Sequence, residues 1–192
     1  MKKTLALALA VGLAGMASAV TMQWTAAGIS FDGTRFNKTT GAGSVLTGYL
    51  VALDSFAASY TVDDSFTAAT VGTVVDTGTD GTSAVGKLSN FWTIDSDNYS
   101  NGDTFAVLLK YTGASDGKTY WNLSSGLVTL EGFSVDPPTN ASNTTASFSY
   151  GKGTDGTLTA GGGWVAAAAV PEPGIACMAL LGIGMMIKRR RA

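Results

Sequence analysis

The chain has 192 residues, 45% of them apolar, with 12 basic and 14 acidic side chains, one cysteine and no histidine. That length suits one domain plus terminal segments. The missing histidine removes Ser-His-Asp and Cys-His machinery and ordinary zinc sites, and the single Cys177 leaves no intramolecular disulfide. Between Val20 and Ala169 six basic residues stand against thirteen acids, a net charge of −7, so the basic face that a nucleic acid requires is absent and no such partner is expected.

In chain order, Lys2 and Lys3 precede an apolar run from Leu5 to Ala14, and Ala17-Ser18-Ala19 follows it. This is the n-region, h-region and small-residue cleavage site of a secretory signal, with signal peptidase as the partner and Val20 as the expected mature start. Val20, Met22 and Trp24 then alternate with Thr21, Gln23 and Thr25, the period of a half-buried strand. A short apolar stretch, 28–31, ends at the Asp32-Gly33 turn signal, and a polar loop is expected over 35–43. Residues 45–53 are apolar on both faces and suit a central strand, with a short helix the alternative that periodicity leaves open. Within 55–75, strands are expected at 59–62 and 70–75, with a helical turn between them, and D-T-G-T-D-G-T over 76–82 reads as a loop.

Phe91 to Ile94 is the next strand, leading into an Asp-rich loop through Asp103. Phe105, Val107, Leu109 and Tyr111 share one face of the following strand, and Asp116-Gly117 supplies turn chemistry before a return over 118–123, which predicts a hairpin. Residues 127–135 read as a strand pair or a strand bulged at Gly132, because the apolar parity changes there. Asp136-Pro137-Pro138 terminates it, since proline cannot donate to a ladder. A last clear strand is expected over 146–150, and Leu158 with 161–165 closes the domain. Many short strands without a helical period predict an all-β fold, an antiparallel β-sandwich, the jelly roll being one such arrangement. The expected organisation is a signal peptide over 1–19, a β-sandwich domain over 20–165, a small-residue linker over 166–170 and a C-terminal tail over 171–192.

Candidate chemistry inside the domain is sparse. A glycosidase needs two apposed carboxylates; Glu131 with an Asp can supply them, but no spacing pairs them. No catalytic residue and no cofactor is therefore assigned. Asp95, Asp97 and Asp103 offer hard oxygen ligands suited to calcium, though Tyr99 stands where a further ligand belongs and no Glu closes the loop; Asp76 and Asp80 make a weaker case. Trp92, Tyr99, Tyr120, Trp121 and Trp164 can stack on sugars, against the expectation that a disulfide-free domain uses most of them in its core. N-x-S/T sequons begin at Asn37, Asn98, Asn122, Asn140 and Asn143.

The tail joins three features: Pro171-Glu172-Pro173, an apolar run from Gly174 to Ile187, and the basic cluster Lys188, Arg189, Arg190 and Arg191. As a helix the run is about 21 Å long, short of the roughly 30 Å hydrocarbon core of a bilayer. The basic cluster would stay on the cytoplasmic side. This order resembles the PEP-CTERM sorting signal of Gram-negative bacteria that build exopolysaccharide. The resemblance covers only the tail. It implies recognition of the Pro171–Pro173 motif by an exosortase-type transpeptidase, a transient transmembrane helix in the inner membrane stopped by Lys188–Arg191, and delivery to the cell surface or extracellular matrix. Three function classes follow: a non-catalytic structural surface protein, which is the leading reading, an exopolysaccharide-binding module, and a surface glycan hydrolase.

Overall fold

The computed structural model describes residues 19–36, 46–53, 57–79 and 86–167. The expected signal segment through Ser18, the residue Asp80, the sequon at Asn37 and the whole tail, with its Pro171–Pro173 motif, Cys177 and Lys188–Arg191, lie outside the described residues.

The described chain is mostly β. Its strands are β1 (Thr21–Ala27), β2 (Ser30–Phe31), β3 (Thr34–Arg35), β4 (Leu46–Ala52), β5 (Tyr60–Thr61), β6 (Thr73–Thr79), β7 (Lys87–Thr93) and β8 (Thr104–Tyr111). They continue with β9 (Tyr120–Leu123), β10 (Val128–Thr129), β11 (Ser134–Val135), β12 (Pro138–Thr139), β13 (Thr144–Ser147), β14 (Thr157–Leu158) and β15 (Val165–Ala166). A single 3-10 turn, Ala68–Thr70, stands where a helical turn was expected.

The larger sheet runs β15-β9-β8-β4-β6, with β10 also paired to β8, and every pairing in it is antiparallel. A second sheet runs β13-β1-β7. Three two-stranded ribbons, β2–β3, β5–β14 and β11–β12, complete the pairing among the described residues.

Strand β8 explains how the core is laid out. Its run F-A-V-L-L has no polar face, and all five side chains from Phe105 to Leu109 are fully buried. A strand can stay that apolar only if both faces of its sheet are covered. On one side Phe105, Val107 and Leu109 join Leu46 and Leu50 of β4 in a cluster with Met22 and Trp24 of β1, Leu88 and Trp92 of β7 and Ala146 of β13. On the other side Ala106 and Leu108 join Val51, Trp121 and Leu123 beneath Val62, Phe66, Ala68, Val71 and Leu158. The segment around β5 and the 3-10 turn thus covers the second face.

The first cluster depends on two glycines. Gly48 of β4 and Gly78 of β6 lie opposite each other in the sheet register. A Cβ on Gly48 would sit 3.0 Å from Leu88 and 3.1 Å from the Trp24 ring, and one on Gly78 would meet the same two side chains at 3.0 and 3.4 Å. The bare backbone of the paired glycines makes room for Trp24 of β1 and Leu88 of β7.

Most of the expected strands are present: Val20, Met22, Trp24 and Ala26 are buried along β1, β4 is central between β6 and β8, and β8–β9 form the hairpin. At its turn Gly117 takes a φ of +73° and Asp116 Oδ1 accepts from the Lys118 amide at 3.0 Å. Three readings are corrected and one pair of alternatives is resolved. Strand β1 pairs in parallel with β13, so the antiparallel pattern is not complete. The expected loop over 76–82 is strand through Thr79, because β4 offers a free edge to Thr77 and Thr79 and pairing overrides local turn composition. Of the two alternatives for 127–135 the structure has two strands and no bulge: at Gly132, φ +77°, the chain leaves β10, paired to β8, for β11, paired to β12. The strand expected over 146–150 is β13 at 144–147, and Tyr150 is exposed.

Candidate functional site

The three calcium candidates sit in the loop between β7 and β8, where the carboxylates of Asp95 and Asp103 bond to the loop itself. Asp95 accepts from the Asp97 amide at 3.2 Å and from Asn98 Nδ2 at 2.7 Å, and Asp103 accepts from the Ser100 amide at 2.8 Å. Asp103 also borders an open depression of about 300 Å³ with Leu53, Asn98, Tyr99, Thr104 and Phe105. Among the described residues no three His, Cys, Asp or Glu side chains come together as a metal-holding group. Asp76 belongs elsewhere: its Oδ2 accepts from Trp24 Nε1 at 2.6 Å and from Asn90 Nδ2 at 3.0 Å.

The carboxyl groups of Asp63 and Asp116 are both pushed below the usual range. Asp63 is held down by the Ser65 hydroxyl and amide, Asp116 by the Lys118 amide and the Tyr120 phenol. A general acid for glycoside cleavage needs the opposite displacement. Glu131 is exposed after β10, with its backbone carbonyl accepting from the Ser142 amide at 2.9 Å.

The densest grouping of aromatic and charged side chains surrounds Tyr120. Phe31 packs against Tyr111 and Tyr120 with centroids 4.8 Å apart in each case, and against Trp164 at 5.7 Å. The Lys152 ammonium lies 5.3 Å from the Phe31 centroid and 3.6 Å from Asp32; Lys118 pairs with Asp155 at 3.6 Å. The Tyr120 phenol donates to Asp116 at 2.7 Å, and that bond, burial and the surrounding carboxylates push its pKa up to about 12. Trp164 Nε1 donates to the Ser30 carbonyl at 2.7 Å. These contacts fasten the β2–β3 ribbon and residues 150–156 onto β9. The two ion pairs are exposed and each is worth at most about 1 kcal/mol, so the grouping is a structural clamp.

Of the five aromatics considered for sugar stacking, Trp92, Tyr120, Trp121 and Trp164 are buried and Tyr99 is half-buried. Among the described residues the exposed aromatics are Phe91, at 66%, and Tyr150, at 57%. Phe91 was legible in principle. Adjacent residues on a strand point to opposite faces, so Phe91-Trp92 had to place one ring outward, and the larger indole went inward. The sequons divide similarly: Asn98, Asn140 and Asn143 are exposed, whereas Asn122 is fully buried and donates to the Ser149 carbonyl at 2.9 Å.

Phe91 stands on the outer face of the β13-β1-β7 sheet. The outward positions are Thr21, Gln23, Thr25 and Ala27 on β1, Lys87, Ser89, Phe91 and Thr93 on β7, and Thr145 and Ser147 on β13. Gln23 lies opposite Phe91, and the Thr25 and Ser89 hydroxyls are hydrogen-bonded at 2.9 Å. The face carries hydroxyls, one amide, one ring and a single charge, Lys87, at its corner.

No protein-family model matches the chain, and neither a curated protein nor a solved structure matches it.

Proposed function

We propose that this chain is an exported, non-catalytic surface or matrix protein addressed by its C-terminus in the manner of PEP-CTERM proteins. The observation that carries the reading is an order of features along the chain. A secretory signal ending at Ala17-Ser18-Ala19 comes first, and Pro171-Glu172-Pro173, a short apolar run and Lys188–Arg191 come last. Signal peptidase removes the first segment, and the second passes through the inner membrane to an exosortase-type transpeptidase. The burial of Val20 beside an exposed Ala19 fits cleavage between them.

Between these segments lies a β domain that we read as a sandwich, with the β13-β1-β7 sheet stacked on the larger one. The support is the shared cluster of Trp24, Leu88 and Trp92 with Leu50, Phe105 and Leu109. In support of a structural role, the Asp63, Asp95, Asp103 and Asp116 carboxylates bond within their own loops, Asp76 bonds to Trp24 and Asn90, and the aromatic rings serve mainly in packing.

Deleting Pro171 to Ala192 tests the address. The truncated protein should shift from the membrane and matrix fractions to the medium, and an unchanged distribution overturns the reading. Mass spectrometry of the mature protein from cells should find Val20 at the amino terminus and the C-terminus altered at or near the Pro171–Pro173 motif.

A further inference from the structure

We propose that the outer face of the β13-β1-β7 sheet, centred on Phe91, binds a neutral polysaccharide strand. The starting observation is Phe91 itself. It is 66% exposed in the middle of β7, where a polar residue would satisfy the strand equally well and keep an apolar ring out of water. Its neighbours are Ser89 and Thr93 along the strand and Gln23 across it.

The composition of the face selects among partners. A phosphate polymer or an anionic glycan needs several cations, and this face has only Lys87, at its corner, in an exported domain of net charge −7. A membrane surface calls for a broad apolar band with basic flanks. A stable protein interface buries about 1,200–2,000 Å² around a largely apolar centre, which one ring among hydroxyls does not provide. A neutral glycan matches both parts. The axial C–H bonds of a pyranose face carry partial positive charge and suit the negative face of an aromatic ring. Sugar hydroxyls both donate and accept, as do the hydroxyls of Thr25 and Ser89.

The geometry supports an extended ligand. Neighbouring strands are about 4.8 Å apart and outward residues on one strand repeat about every 6.7 Å, so the hydroxyls form a regular array around the ring. The Thr25–Ser89 bond at 2.9 Å holds one pair of them in place before any ligand arrives, which lowers the ordering cost of binding.

The test is affinity electrophoresis of the full-length chain in gels containing hydroxyethylcellulose, dextran or alginate. Retardation is expected on at least one neutral polymer and not on alginate. Phe91→Ala should weaken that retardation about tenfold, the scale of losing much of one aromatic burial, while Phe91→Tyr retains it. Tyr150→Ala, which removes the exposed ring beside Gly28 at the end of β1 rather than the one on β7, should weaken it less than Phe91→Ala does. Circular dichroism melts of both alanine variants should superimpose on the parent's, since both rings are exposed. If Phe91→Ala melts early, Gln23→Lys, which places a charge beside the ring, replaces it and should also weaken binding. No retardation on either neutral polymer, preference for alginate, or equal retardation of a folded Phe91→Ala variant each overturns the proposal. Deletion of Pro171 to Ala192 should leave retardation intact, so failure of the address and failure of the face are separate results.

Discussion

Trp24 and Asp76 belong to different sheets, and the buried Trp24 indole donates across them to the Asp76 carboxylate at 2.6 Å. Asn90 of β7 donates to the same oxygen at 3.0 Å, so one carboxylate ties β6 to both β1 and β7. Replacing Asp76 by Ala strands a fully buried N–H, and the expected cost is about 1–3 kcal/mol. Urea unfolding should show it as a lower midpoint with an unchanged slope. In a double-mutant cycle, Trp24→Phe with Asp76→Ala should destabilise less than the two singly summed, because the indole and carboxylate share one interaction.

The paired glycines beneath Trp24 make a second expectation. Gly48→Ala brings a methyl to 3.0 Å from Leu88 and 3.1 Å from the Trp24 ring, closer than unstrained packing allows. Overpacking of this kind costs about 1–3 kcal/mol. Gly48→Ala in a Leu88→Ala background should cost less, because the smaller side chain vacates part of the clash. Thermal melts of the four proteins measure the difference.

Tyr120 makes stability fall at high pH. Its pKa is about 12 in the folded chain, through the bond to Asp116, burial and nearby carboxylates, against an ordinary value of 10.0. Between those values the unfolded chain releases the phenolic proton while the folded chain keeps it, so the folded state binds more protons and stability declines as pH rises. The contribution is complete below pH 10.0 and lost by about 12. Tyr120→Phe should flatten that decline in denaturation midpoints taken across the window. Asp116 acts at the other end: its lowered carboxyl stabilises the fold at neutral pH, and that share disappears as acid protonates it.

The sequon at Asn122 should never carry a glycan on the folded protein. Its side chain is fully buried in β9 and bonded to the Ser149 carbonyl, whereas Asn98, Asn140 and Asn143 are exposed. Peptide mapping of the protein isolated from cells should find Asn122 unmodified whatever occupies the other three. A glycan on Asn122 would contradict the burial of β9.

What the sequence determined by itself was local and periodic. The alternation of Met22 and Trp24 with Gln23 and Thr25, the apolar run of β4, and the Asp116-Gly117 turn each fix which side of a strand faces inward or where the chain reverses, and each reads from a few consecutive residues. The features on which the proposed address rests are legible for the same reason, as short linear patterns of residues. Only the tertiary structure decided which strands meet: that β1 takes β13 in parallel, that Asp76 is a strand residue with an indole waiting across the gap, that Gly48 and Gly78 are opposite each other, and that Phe91 rather than Trp92 faces outward. Those outcomes depend on contacts between residues far apart in the chain, where the energy of pairing with β4 and of burial outweighs the turn propensity of D-T-G-T-D-G-T.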